Sequence, residues 1–297
     1  MELYAMLYQR LIGDDELSML LADYEGRPAI FYQRTATADD EKWGDKQYPR
    51  IDYIVDMQEN PSRNTSGILT LNVWCDTEHG AEPEDIEPKL RELLHATFVQ
   101  ADDYPYCFAW VRSDSFEVKT QADENVRTIG VTVIFDIMAC PCQWALYPDP
   151  MKGLGAWART VLPGAVIVGE DPIDGWFVPQ GEQIALYWRM TSQRQDKKLA
   201  YATWLTVTVE GHVYAQTAQD RLRALTRLHQ AAALANHVTL EDASPLFLDK
   251  FDVKPHLNYI TQGQIQAQGR FAILQPQWAN PPQLPPMNPV FNTADAL

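Results

Sequence analysis

The sequence lacks a long apolar run, a glycine-rich phosphate loop and a surplus of basic residues, and each absence removes a class of protein. No run approaches the roughly 18 apolar residues that a membrane span needs. None of the 15 glycines falls in a P-loop or a dinucleotide-binding fingerprint. The 24 Lys and Arg against 40 Asp and Glu give a net charge of −16. This charge argues against a protein that wraps nucleic acid through phosphate contacts.

The four cysteines do not form a metal-ligand pattern. Cys140 and Cys142 are separated by a single residue, whereas zinc sites use C-x-x-C spacing and a second pair. Cys75 and Cys107 stand alone on predicted strands. The first four residues show no basic segment followed by an apolar one, so we expect no secretory signal. We therefore expect reduced structural thiols in a cytosolic setting.

Other signatures of catalysis are missing as well, so we expect no catalytic residue, no cofactor and no bound metal. Neither a G-x-S-x-G nor an H-E-x-x-H motif occurs. The acidic runs at 82–87 and 102–103 fit a helix N-terminus and a solvated loop. The nine tryptophans lie on predicted strands or turns with few basic neighbours, which favours packing or subunit contact over base stacking. The six histidines are scattered: His79, His95, His212, His229, His237 and His256.

What the sequence does contain is one pattern that occurs twice. Residues 68–74 predict a strand that is followed by a polar turn and a leucine-bearing helix, and residues 204–209 begin the same order. Leu69 and Leu205, in the two strands, lie 136 positions apart. A period this long indicates two domains rather than a solenoid of short repeats. Two further pairs match at offsets of 132 and 135, namely Leu90 with Leu222 and Phe116 with Phe251.

The sequence predicts an α+β fold of two similar modules, each an antiparallel sheet with helices packed on one face. The first module spans residues 1–140 and the second spans residues 150–275, with a proline- and aromatic-rich boundary between them. Residues 276–297 contain six prolines and predict an extended tail. In the second module we expect strands at 184–190, 202–214, 258–261 and 264–274 and a helix at 218–236 that begins after Thr217.

The first half also has a recognisable order of elements. It begins with a helix that carries Leu3, Leu7 and Leu11, followed by an extended segment from Pro49 to Val55. An apolar strand at 68–74 and a helix at 86–98 come next. In this order the half resembles the tail-terminator proteins of tailed bacteriophages, the tail-completion or minor tail protein U-like family. The resemblance covers residues 1–140, and it reaches residues 150–275 only through the internal repeat.

The resemblance implies a structural virion protein that is not an enzyme. It would form a ring, a hexamer of chains by preference, at the head-proximal end of the tail, where it caps the tail tube. Its partners would be copies of itself, the tail tube protein and the head connector or adaptor proteins, with neither a membrane nor specific nucleic-acid binding. Assembly would take place in the host cytoplasm. An acidic surface suits a ring through which DNA passes, because carboxylates repel phosphate.

Several alternatives remain open at the level of the sequence. A ring of six modules could also be built from three chains, or the chain could be another connector or tube-related virion protein. A small-molecule enzyme with a pocket between the modules is a reading from a different class. An adaptor whose proline-rich tail docks on a partner groove is a further one. In the tail we expect Trp278 and Phe291 to be the apolar anchors on a neighbouring subunit.

Overall fold

The computed structural model of the protein describes residues 2–60, 65–76, 81–101, 104–119, 127–144 and 146–274. Strands predominate over helices in these residues, so the chain is a mixed helix and strand protein. A seven-stranded and a six-stranded sheet contain nearly all of the strands. None of the helices in this described part is both long and apolar enough to cross a membrane.

The first half begins with a helical pair that polar side chains delimit. The Asp14 carboxylate accepts a hydrogen bond from Leu17 N at 2.8 Å, which caps the second helix where an N–H has no helical partner. The elements are α1 (Leu3–Ile12), α2 (Asp15–Leu20), β1 (Asp23–Tyr24), β2 (Arg27–Pro28), β3 (Ile30–Tyr32), β4 (Arg50–Asp56), β5 (Gly67–Asp76), α3 (Pro83–Leu94), β6 (Phe98–Ala101), β7 (Tyr104–Lys119) and β8 (Arg127–Ala139).

The second half repeats the alternation of helices and strands, and its longest helix begins where the sequence predicts. Thr217 Oγ1 accepts a hydrogen bond from Asp220 N at 3.1 Å, so the predicted helix cap is confirmed. The elements are α4 (Pro150–Val161), β9 (Val166–Ile167), β10 (Trp176–Phe177), β11 (Ala185–Lys198), β12 (Ala202–Tyr214), α5 (Ala218–Leu234), β13 (Val238–Thr239), β14 (Pro245–Val253) and β15 (Ile265–Leu274).

The strand predicted at 258–261 is wrong, because these residues form a turn. The Asn258 carboxamide oxygen accepts hydrogen bonds from Ile260 N at 2.8 Å and Thr261 N at 3.0 Å, a local bonding pattern that competes with a strand ladder. The strands that pair with β15 are instead β12 on one side and β14, over residues 245–253, on the other. The helix match at offset 132 is wrong in detail as well. Leu90 is fully buried, whereas Leu222 is 50% exposed, so the two are not equivalent core positions.

The two sheets have the same strand order. The first runs β10-β6-β7-β8-β5-β4-β3, and the second runs β13-β14-β15-β12-β11-β9. Apart from β10, each strand of one sheet has a counterpart at the same place in chain order and sheet order, and α3 and α5 occupy the same connection. The prediction of purely antiparallel sheets is wrong at one edge of each. The pairs β3–β4 and β9–β11 are parallel, because a crossover connection returns each chain in the same direction.

Two buried cores follow from alternation along the central strands. In β5, Leu69, Leu71 and Val73 are fully buried, and the residues between them are partly exposed, which is the period of a strand. These residues share one core cluster with leucines of α1, α2 and α3. A second cluster joins Val207 and Val209 of β12 with residues of α4 and α5. Each fully buried aliphatic side chain contributes about 1.5–3 kcal/mol to the free energy of folding.

Candidate functional site

The residues that the sequence singles out for partner contact lie outside the described part of the chain. Trp278, Phe291 and the rest of segment 276–297 belong to this group, and the predicted solvated loop at 102–103 lies outside the described part as well. Their role as anchors or as a solvated loop stays a prediction.

Of the six histidines, His79 lies outside the described residues, and the other five do not all gather around one site. His95 is the C-terminal cap of α3, whereas His229 lies exposed in the middle of α5, so the two helices do not present a common histidine position. His237 and His256 are exposed too. Within the described residues, no group of three or more His, Cys, Asp or Glu side chains is placed to hold a metal ion.

Three of the cysteines are buried and one is exposed. Burial raises the pKa of the Cys75 thiol to about 12, and it raises the pKa values of Cys107 and Cys140 well above their usual range. A buried thiol with a raised pKa is a poor nucleophile, because the thiolate is the reactive form. Cys142 is exposed, and it is therefore the accessible thiol among the four.

A third buried cluster joins the two halves of the chain. Its members from the first half include Phe98, Cys107 and Met138, on the face of the first sheet that points away from the helical core. Its members from the second half include Tyr187 and Tyr214, from β11 and β12. The rings of Phe98 and Tyr214 meet edge to face, with centroids 4.7 Å apart. The two sheets are thus packed together through apolar side chains, and the junction between them is part of the folded core.

A strand from the second half completes the edge of the first sheet. In the connection between β9 and β11, β10 pairs antiparallel with β6. Gln100 N also donates a hydrogen bond to Gly175 O at 3.1 Å. The Trp176 ring stacks on Phe108 with centroids 6.0 Å apart, and the Arg10 guanidinium lies 5.5 Å from the centroid of the same tryptophan. The strand is only two residues long, which is too short for a periodic pattern to predict.

Two histidines lie at this junction, His95 half-buried and His212 fully buried. His95 Nε2 is 3.0 Å from the hydroxyl of Tyr259, and His95 Nδ1 accepts a hydrogen bond from Trp110 N at 3.1 Å. Burial lowers the pKa of His95, and Arg91 and Arg221 lower it further. His212 Nδ1 lies 3.1 Å from Tyr259 O, and burial together with the Arg189 charge lowers its pKa to about 4. Both imidazoles are therefore neutral near pH 7 and take part in packing.

A half-buried aromatic surface surrounds Arg50 on the outer side of β3, β4 and β5. We name it the arginine patch and define it by Phe31, Trp43, Tyr48, Arg50 and Trp74. The Arg50 guanidinium lies 4.6 Å from the Tyr48 ring centroid, 5.9 Å from that of Trp43 and 6.0 Å from that of Trp74. Its Nε atom is buried and donates no hydrogen bond to any described residue. Stacking against aromatic faces is a property in which Arg differs from Lys.

An open groove of about 360 Å³ lies on the second sheet. We name it the tryptophan groove and define it by Asp196, Lys197, Trp204, Phe247 and Arg270. Phe247 is 37% exposed, and its ring lies 6.3 Å from that of Trp204. Partly exposed aromatic side chains next to charged ones are typical of a protein-binding surface.

The hairpin of β11 and β12 forms a third distinctive surface. Residues 185–188 are buried at the junction, whereas residues 191–198 are all exposed, so the far half of β11 projects from the sheet core. Two register shifts interrupt its pairing with β12.

No protein-family model matches the sequence, and no curated protein matches it. The functional interpretation therefore rests on the geometry of the folded chain. Two similar sheets, a buried junction and aromatic outer surfaces form an arrangement suited to protein contact.

Proposed function

We propose that the chain is a structural ring subunit of a tailed bacteriophage, located at the head-proximal end of the tail. In this proposal, residues 1–140 and 150–275 are two copies of one α+β module, each a mainly antiparallel sheet with helices on one face. The common strand order of the two sheets, including the parallel pair at one edge of each, supports the duplication. We call these parts the first module and the second module.

The observation that supports a ring is the asymmetry of the junction between the two modules. The first module contributes β6, β7 and β8, whereas the second contributes β9, β11, β12 and the turn before β15. Equivalent modules therefore meet through unlike surfaces. A contact between unlike surfaces is heterologous, and when it is repeated it closes into a ring or grows into a filament. Since both modules are already joined in this way, the junction supports three chains with six modules over six chains with one ring module each.

The charge of the protein supports a ring that DNA can traverse. A net charge of −16 gives a surface that repels phosphate, so DNA would pass without being held. The proposed partners are further copies of this chain, the tail tube protein and the head connector proteins. The virion neck is the proposed location.

Cryo-electron microscopy of the virion tests this proposal. A phage that carries the gene with a small C-terminal epitope tag is labelled with tag-specific Fab fragments, and the neck is reconstructed with symmetry. We expect Fab density as a ring at the junction of head and tail tube. Deleting the gene should yield two products: filled heads without attached tails, and separate tubes of irregular length, because nothing would cap the growing tube.

The control for this experiment is the untagged phage incubated with the same Fab fragments. Fab density at the distal tip, on the capsid or absent from purified virions would contradict the proposal. Normal tailed particles after deletion of the gene would contradict it equally.

A small-molecule enzyme is the second candidate, and one observation favours it. A groove of about 330 Å³ borders the junction and contains Cys142 and Glu170. Burial raises the pKa of the Glu170 carboxyl, a common feature of catalytic acids. The same carboxylate, however, accepts hydrogen bonds from Trp144 Nε1 at 3.1 Å and from Arg159 at 3.3 Å. These hydrogen bonds give the buried Glu170 carboxylate a structural role in packing, without a catalytic one. The ring therefore remains the preferred function.

A further inference from the structure

The side of the first module that the junction covers has an uncovered counterpart on the second module. In the first module, the end of α3 and strands β6 and β7 lie against the second half of the chain, which buries Phe98 and Cys107 completely. In the second module, the corresponding elements are the end of α5 and strands β13 and β14. There Leu234 is 86% exposed and Phe247 is 37% exposed.

The opposite sides of the modules differ in the same manner. The second module presents β9, β11 and β12 to the junction, whereas the corresponding strands β3, β4 and β5 of the first module have the arginine patch on their outer face. Each chain therefore covers one side of each module at its own junction. The corresponding side of the other module stays uncovered in both cases.

The connections that follow the parallel edge strands have the same length. Residues 168–184 join β9 to β11, residues 33–49 join β3 to β4, and each connection contains 17 residues. The first of these carries β10, which pairs with the free edge of β6. The second carries Trp43, a member of the arginine patch. Among the described residues, β13, the counterpart of β6, pairs with β14 alone and has an open edge.

We infer that a second copy of this chain docks its arginine patch on the tryptophan groove of the first copy, with segment 33–49 along the open edge of β13. The contact repeats between chains the packing that joins the two modules within a chain. The inference rests on the proposed ring function, which it deepens by naming the two surfaces that meet.

The side chains on the two surfaces suit each other. The aromatic rings around Arg50 provide apolar area, and its guanidinium provides a positive charge. The groove provides Trp204 and Phe247 for packing and the Asp196 carboxylate at its rim. Aromatic and Arg anchors at the centre of a contact are the residues that contribute most to affinity in protein interfaces.

Sedimentation velocity of the purified full-length protein tests the inference. We expect the wild-type chain to associate reversibly as its concentration rises through the micromolar range. Phe247→Glu damages the groove, Trp43→Glu damages the patch, and each should weaken association by about tenfold or more, the effect of losing an aromatic anchor. Leu234→Glu is a second variant on the same uncovered side, at the strongly exposed end of α5, in case Phe247→Glu fails to fold. Met19→Glu is the matched control, because Met19 is 78% exposed on α2 and belongs to neither defined surface.

Mixing the two damaged proteins gives the decisive result. The Phe247→Glu protein keeps an intact patch and the Trp43→Glu protein keeps an intact groove, so a mixture should form a dimer with one chain of each kind that grows no further. Three results would overturn the inference: a wild-type chain that stays monomeric at every concentration, variants that associate like the wild type, or a mixture that stays monomeric. These measurements use no virions, so they can fail while Fab labelling of the neck succeeds, and the reverse holds as well.

Discussion

His95 Nε2 lies 3.0 Å from the hydroxyl of Tyr259, a residue 164 positions later in the chain. The Tyr259 ring also carries the Arg221 guanidinium, 3.9 Å from its centroid, and packs edge to face on Tyr214. A single turn between β14 and β15 thus connects the end of α3 in the first module with α5 and β12 in the second. The two modules share one folded unit through polar as well as apolar contacts.

The buried imidazole of His212 should make stability depend on pH. Its pKa is about 4 in the folded protein against 6.5 for an unperturbed histidine, so the unfolded chain binds more protons between these values. The free energy of unfolding should therefore fall as pH drops from about 6.5 towards 4, by on the order of 2–3 kcal/mol. The lowered pKa of His95 adds to the loss in the same direction.

Urea denaturation at a series of pH values measures this effect. His212→Gln should reduce the difference in unfolding free energy between pH 7 and pH 5. His256→Gln, at an exposed position, should show the same difference as the wild type. Equal slopes for the wild type and the His212 variant would contradict the prediction.

The edge-to-face pair of Phe98 and Tyr214 should couple the modules energetically. Both side chains are almost completely buried, so each alanine substitution should cost about 3–5 kcal/mol. The double variant should show a coupling of about 0.5–1.5 kcal/mol, the range for aromatic pairs. Phe98→Ala combined with Phe271→Ala is the control, because Phe271 belongs to the second core. Additive effects of the two substitutions would show that Phe98 and Tyr214 do not stabilise each other across the junction.

Much of the secondary structure could be predicted from local patterns, and the parts that failed share a cause. The alternation in β5 and the Thr217 cap are short-range signals, and both predictions are confirmed. β14 was missed because its burial does not alternate, and a register shift between Leu248 and Lys250 interrupts its pairing. β10 was missed because two residues carry no period.

The junction could not be predicted from the sequence for a different reason. Its polar contact joins His95 to Tyr259, and nothing in either local sequence indicates the other residue. The nearly constant offset between the halves predicts that two sheets resemble each other, but it does not indicate which faces meet. That choice depends on side-chain packing across the whole fold, and residues at either surface look like ordinary strand residues in the sequence.

Gly155 lies in helix α4, where alanine is normally more favourable than glycine. Alanine at this position should nevertheless destabilise the protein. A Cβ at this position would come within 2.7 Å of Glu170 Oε1, a carboxylate held in place by Trp144 and Arg159. Gly→Ala in a helix normally gains about 1 kcal/mol, whereas Gly155→Ala should lower the melting temperature. Ala156→Gly, at an exposed position of the same helix, should cost about 1 kcal/mol through propensity alone. A gain in stability from Gly155→Ala would show that Glu170 moves freely.

Thiol labelling should distinguish one cysteine from the other three. Cys142 is exposed, while Cys75, Cys107 and Cys140 are buried and have raised pKa values. A chromogenic disulfide reagent at pH 8 should therefore label one thiol rapidly in the native protein and all four in denaturant. The variant Cys142→Ser should abolish the rapid phase. Rapid labelling of any thiol in that variant would mean that a buried core opens readily.

The proline-rich tail should serve assembly and not folding. Segment 276–297 follows β15, which ends at Leu274, and its six prolines predict an extended segment rather than a core element. A chain that ends after Leu274 should therefore unfold at nearly the same temperature as the full-length protein. Its assembly into particles should weaken, because a pre-extended segment loses little conformational entropy when it docks.

The full-length variant with both Trp278→Ala and Phe291→Ala separates anchoring from tail length. If these two side chains are the apolar anchors, this variant should lose as much assembly as the truncated chain while it keeps all six prolines. Calorimetry measures folding, and infectious titre together with the amount of this chain in purified virions measures assembly. Wild-type titre from both altered chains would contradict a docking role for the tail. A melting temperature lowered by several degrees in the truncated chain would instead place the tail in the folded core.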